Sequence, residues 1–197
     1  ERAYDVRRLV YDGLVIDETR QLAVPGPAAS ALVFAAARVV PGILSDPAIG
    51  VLVARIRFAA DAAPDCGLAS IDEADVEACL AEVCESLTSL AQLRARMPAA
   101  LAAAIVRRAG PNAARALARF APERVRLARG REVRVHYAEG MQPWIASRLQ
   151  DFFGMQTTPA IADGRRPLVV HLLAPNQRAV QVTSDLAGFW ERHYPAL

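Results

Sequence analysis

The chain has 197 residues, long enough for one large domain or two small ones with a real core. A hydrophobic content of 53% and a charged content of 22% describe a globular protein and exclude a disordered one. The net charge is only +2, yet all 23 basic residues are arginine, so the chain cannot supply the lysine that a phosphate-cradling P-loop needs.

Residues 3–18 favour strands. Tyr4, Val6, Leu9, Val10 and Tyr11 come before Asp12-Gly13, and Leu14, Val15 and Ile16 come after it. Asp-Gly between apolar runs is a hairpin or bulge signal. Pro25-Gly26-Pro27 is a breaker cluster and a candidate boundary. Pro27 can start a helix that runs to Val40 and stops at Pro41-Gly42. The apolar run Ala28 to Ala37 inside it is too short to span a bilayer. Asp46 and Pro47 form an N-cap and N1 pair, and Ile49, Leu52, Val53 and Ile56 give the next helix a buried face. After a loop over Pro64 to Gly67, Ser70 and Glu73 have capping-box spacing, followed by the apolar stripe Val76, Leu80, Val83 and Leu87. Further helices fit residues 89–97, 98–109 and 111–120.

From about Glu123 the period changes from helical to alternating. Val125 and Leu127 alternate with Arg124 and Arg126; Gly130 turns the chain; Val133, Val135 and Tyr137 alternate with Arg134 and His136. That pattern predicts a hairpin with one wet face. A helix is expected from Pro143 to Phe153, ended by Gly154. Residues 167–173 read as a continuous apolar strand, Ala174 to Gln177 as a turn, Ala179 to Val182 as a returning strand, and Asp185 to His193 as a last helix. The predicted class is α+β: an N-terminal hairpin, a helical region, then a small antiparallel sheet in the order strand, strand, helix, strand, strand, helix. The domain limits that follow are 1–24, 25–121 and 122–197.

The charge is unevenly spread. Asp61 to Leu93 holds eight acids and no arginine, whereas Arg94 to Arg134 holds eleven arginines against Glu123 and Glu132. The candidate functional feature is an arginine belt: Arg107, Arg108, Arg115, Arg119, Arg124, Arg126, Arg129, Arg131 and Arg134. Arginine grips phosphate bidentately and stacks on bases. Arg115 and Arg119 share a helical face, Arg124 and Arg126 share a strand face, and Arg134 can join it across the hairpin. The alternative is an ordinary solvated surface, paired in part with the acidic segment.

Other candidates have structural readings. Asp72-Glu73-Ala74-Asp75 spells a helicase motif, but these acids suit the positive end of a helix start. Thr183, Ser184 and Asp185 suit a cap. Trp144, Phe152, Phe153, Phe189, Trp190 and Tyr194 could stack on bases, but their helical spacing favours the core. His136 falls on a wet strand face, His171 inside an apolar strand as a hydrogen-bonded core residue, and His193 at a helix end. Cys66, Cys79 and Cys84 lack zinc spacing and read as reduced, mostly buried thiols. No catalytic constellation and no metal site is predicted, and without a signal-peptide pattern the cytoplasm is the expected compartment.

Arg148-Leu149-Gln150 with Phe153-Gly154, Thr158-Pro159, Pro167-Leu168, His171-Leu172-Leu173, Gln181-Val182-Thr183, Asp185-Leu186, Phe189-Trp190 and Tyr194-Pro195 form a longer pattern. Together they resemble the C-terminal region of HrpB-type helicases, bacterial relatives of the DEAH-box ATP-dependent RNA helicases. The resemblance implies a parent that hydrolyses ATP with Mg in its motor domains and acts on RNA. It implies that residues 1–24 are the end of an oligonucleotide-binding (OB) fold and that a short basic, aromatic tail follows Tyr194-Pro195. A first residue of Glu1 rather than Met fits an excised segment. The expectation is an accessory module, not itself an enzyme, that assists binding to RNA or single-stranded nucleic acid beside the motor domains. The alternative is a platform for a protein partner that localises or regulates the helicase. No membrane contact is expected.

Overall fold

The computed structural model describes residues 1–43, 46–174, 176 and 178–194. The chain divides into two compact units, Glu1–Ile49 with Ile71–Arg108, and Gly50–Ser70 with Ala109–Leu197.

The first unit begins with an antiparallel hairpin, β1 (Tyr4–Tyr11) and β2 (Leu14–Leu22). Asp12 and Gly13 have φ of +48° and +78°, the left-handed pair that a tight two-residue hairpin turn demands. The hairpin is exposed along both strands, with Tyr11 74% and Leu14 72% accessible. It is tied down at its base, where the Ala3 N–H donates to the Thr88 carbonyl at 2.8 Å. Helix α1 (Pro27–Val39) packs on α3 (Glu73–Cys84) and α4 (Leu90–Arg96). Ala29, Val33 and Ala37 recur at every fourth position of α1 and are buried, as are Leu80 and Val83 on α3 and Leu90 and Leu93 on α4. Only the first three residues of α2 (Pro47–Ala62) belong to this unit and the rest to the second; the helix starts at the expected cap, since Asp46 Oδ1 accepts from the Ala48 N–H at 2.8 Å. Leu101 and Ile105 of α5 (Ala99–Ala109) are fully buried.

The α3 cap lies two residues after the predicted one. Asp72, not Ser70, is the N-cap, and Asp75, not Glu73, is its partner. Asp72 Oδ1 accepts from the Asp75 N–H at 2.8 Å, and Asp75 Oδ2 accepts from the Asp72 N–H at 3.1 Å. Both spacings fit the sequence, but Ile71 is 1% exposed and must enter the core before the helix can begin.

The second unit carries α6 (Ala113–Phe120) and a five-stranded sheet in the order β3-β4-β5-β8-β9. The strands are β3 (Arg124–Arg126), β4 (Glu132–His136), β5 (Trp144–Arg148), β8 (Val169–Leu173) and β9 (Ala179–Thr183). A small separate hairpin, β6 (Ala160–Ile161) with β7 (Arg166–Pro167), lies between β5 and β8 in sequence. The mixed α+β class, the β3–β4 hairpin and the last helix, α7 (Leu186–Arg192), agree with the sequence reading. Asp185 caps α7 by accepting from the Gly188 N–H at 2.9 Å. Pro175 and Gln177 of the expected turn lie outside the described residues.

The predicted helix over 143–153 is a correction. Residues 144–148 are a strand, followed by a 3-10 turn over Leu149–Phe152. Ile145 and Ser147 point inward while Trp144 and Ala146 are half-buried on the other side. That is a period of two, which the sparser spacing of Trp144, Leu149 and Phe152 mimics as a helix. β5 runs parallel to β8 and antiparallel to β4, so the sheet is mixed rather than wholly antiparallel. A parallel pair needs a long crossover, and residues 149–168 supply it. One sheet face is closed: Val133, Val135, Ile145, Val170 and Leu172 are buried, as are Phe152 and Phe189. Each such side chain is worth about 1.5–3 kcal/mol on leaving water.

Candidate nucleic-acid interface

Alternation along each strand leaves the opposite face of the sheet open. Arg124 and Arg126 on β3, Glu132, Arg134 and His136 on β4, and Trp144, Ala146 and Arg148 on β5 occupy outward positions. Val169, His171 and Leu173 on β8 and Val180 and Val182 on β9 complete it. Arg124 and Arg134 are direct register partners, and Arg126 faces Glu132. The wet face expected of this hairpin is therefore continuous with three further strands.

The arginine belt is placed unevenly. Arg107 and Arg108 lie in the first unit, ion-paired with Glu82 and, at 2.6 Å, with Asp75. Those two pairs match the alternative reading of a surface neutralised by the acidic segment. In the second unit, Arg119 pairs with Asp163 at 2.7 Å and lies 5.0 Å from the centre of the Phe120 ring. Arg131 reaches Asp151 at 3.3 Å, Arg129 lies 6.0 Å from the Phe153 ring centre, and Arg126 donates to the Gly130 carbonyl at 3.3 Å. Among the described residues, Arg115, Arg124 and Arg134 are exposed and have no acidic partner, and neither does Arg148, which the belt did not include. Unpaired guanidinium groups keep their donors available to an anion.

Three rings stand side by side across the middle of the open face. His136 and Trp144, register partners on β4 and β5, stack at 3.8 Å between centroids with planes 9° apart. Trp144 and His171 of β8 stack at 4.5 Å with planes 21° apart. Burial holds the His136 imidazole below its usual pKa, and the charge of Arg134 adds to this. His136 is thus on the wet side as expected, while His171 is half-buried on the open face rather than in the core. Of the six aromatics read as core, Phe152 and Phe189 are buried, Phe153 and Trp190 are half-buried and Tyr194 is exposed; Trp144 is half-buried because its segment is a strand. The inward pair Ile145 and Ser147 was the sequence signal for that strand.

Asp72 and Asp75 are committed to the α3 cap, and Asp75 also receives Arg108. Capping bonds from backbone hydrogen-bond donors, with the Arg108 bond, hold the Asp75 carboxyl below its ordinary pKa. With both carboxylates spent in this way and no lysine in the chain, these residues do not fit an ATP–Mg site. No helix among the described residues is long and apolar enough to cross a membrane.

Comparison with known proteins places this chain in a lineage. The ATP-dependent RNA helicase HrpB of Escherichia coli K12 is 46% identical over 65 residues, which are 33% of this chain and 8% of that protein. A crystal structure of the E. coli DExH-box NTPase HrpB superposes with a TM-score of 0.72 at 26% identity, covering 97% of this chain and 24% of that one. A second, of the E. coli DEAH/RHA helicase HrpB, shares the fold at 24% identity with a TM-score of 0.68, covering 99% of this chain and 27% of that one. The chain thus spans about a quarter of the length of the solved relatives it matches. The profile of the family described as ATP-dependent helicase C-terminal (HrpB_C) matches residues 79–197, more than half of the sequence, and the chain belongs to that family.

Proposed function

We propose that this chain is a non-catalytic accessory module of an ATP-dependent RNA helicase and that it assists nucleic-acid binding. The observation that carries this reading is the open sheet face on which Arg124 and Arg134 sit side by side, exposed and without acidic partners. Two like charges opposed across a ladder are destabilising on their own and become favourable when a phosphate lies over them. Residues 1–24 then correspond to the end of an OB-fold, 25–121 to a helical region and 122–197 to the unit that bears the interface. The motor domains of the parent supply ATP hydrolysis, and its RNA is the ligand.

A titration of single-stranded RNA at two salt concentrations tests the proposal. Binding should be weak, tolerant of sequence and steeply salt-dependent, as phosphate contacts release counterions. Absence of binding at low salt would overturn it. ATP turnover by the chain, abolished by Asp72→Asn, would overturn the non-catalytic part.

A second reading, a platform for a protein partner, is favoured by the hairpin. Leu9, Val10, Tyr11, Leu14, Val15 and Ile16 are all exposed there. Contiguous exposed apolar residues mark interaction surfaces. Loss of a co-purifying motor or regulatory protein on Tyr11→Ser with Leu14→Ser would support it.

A further inference from the structure

We infer that the His136–Trp144–His171 ring stack is a base-stacking platform for single-stranded RNA, flanked by the phosphate-binding arginines. This rests on the nucleic-acid reading above and deepens it, because it predicts that unpaired bases, not only phosphates, are engaged.

The rings lie on three neighbouring strands, β4, β5 and β8, and all three are half-buried rather than covered. Among the described residues no other ring extends the stack beyond His136 or His171. No aromatic ring among the described residues therefore caps either end of the stack. Arg134 neighbours His136 on the same strand face, and Arg124 is its register partner. At the other end, Val182 is the register partner of His171 and is 49% exposed. Further along the same face a cavity of about 360 Å³ is lined by Arg148, Leu149, Phe153, Leu173 and Val180. At about 3.3 Å per residue, Arg148 sits roughly 13 Å along β5 from Trp144. A planar stack, an apolar recess and exposed arginines on β4 and β5 suit a strand with exposed bases. A duplex, whose bases are paired, does not use all three. Sheet faces bearing aromatic residues read single strands in this way.

The test compares a labelled RNA oligomer with an abasic oligomer of the same length and charge, by fluorescence anisotropy on the whole chain. The base-bearing strand is expected to bind roughly 5- to 150-fold more tightly, the range that one stacked base contributes. Trp144→Val should remove most of that difference while retaining the salt dependence. His136→Thr with His171→Thr, which spares the tryptophan and uses a good strand former, should reduce it in the same direction. Equal affinity for both oligomers in the unaltered chain would overturn the stacking inference and leave phosphate binding standing. Failure of both oligomers to bind would overturn the nucleic-acid reading and this inference with it. Tighter binding of duplex than of single-stranded RNA would overturn the stacking inference alone.

Discussion

Arg124→Thr should make the protein more stable and a poorer ligand for RNA. Arg124 and Arg134 are register partners on β3 and β4, and neither has an acidic partner among the described residues. Opposed Cα atoms in an antiparallel pair lie about 4.5–5.5 Å apart. Two unit charges 5–7 Å apart in water repel by about 0.6–0.8 kcal/mol. Threonine removes that repulsion and suits a strand. For a protein of this size, the gain corresponds to a rise in Tm of about 1–3 °C. The gain should be measurable by calorimetry at low salt and vanish near 1 M, where the screening length falls to about 3 Å. RNA binding should weaken in the same variant, and its salt slope should flatten by about 0.7 log units, the share of one phosphate contact to a single strand. A fall in Tm, or a rise that persists at high salt, would refute the repulsion argument. An unchanged slope would remove Arg124 from the interface.

Three further outcomes follow from particular contacts. Asp72→Ala removes the acceptor for the Asp75 N–H and should destabilise the protein by about 0.5–2 kcal/mol in urea unfolding. Phe152→Ala empties a fully buried site and should cost about 3–5 kcal/mol by the same measurement. His136 is held below its reference pKa of 6.5, first by burial and then by Arg134 and His171. The folded state therefore favours the neutral ring, and the stability it contributes is complete above about pH 6.5 and is lost as the pH falls through the folded-state value. Tm should decline as the pH is lowered from 7 to 5, and His136→Gln should flatten that decline.

The sequence by itself determined the local elements whose signals are chemical. Asp12-Gly13 demanded a tight turn, Asp46-Pro47 and Asp185 demanded helix starts, and the alternation of Arg124, Arg126 and Arg134 with valines demanded a hairpin with one wet side. The missing lysine excluded a P-loop, and scattered residues from Arg148 onward carried the family resemblance. Tertiary structure decided what short segments cannot encode alone. Five residues from Trp144 fit a helix or a strand, and pairing on both sides, antiparallel to β4 and parallel to β8, settled the choice. That choice turned Trp144 from a core residue into the centre of an open face and brought it against two histidines that lie eight residues before it and 27 after it in sequence. The depth of Ile71 moved the α3 cap to Asp72 in the same way. Which arginines stay unpaired also depends on where distant carboxylates fall: Glu82, Asp75, Asp151 and Asp163 neutralise some of the belt and leave Arg124 and Arg134 side by side with none. Spacing along a chain reports local period, whereas a surface made by strands from separate segments exists only once they pair.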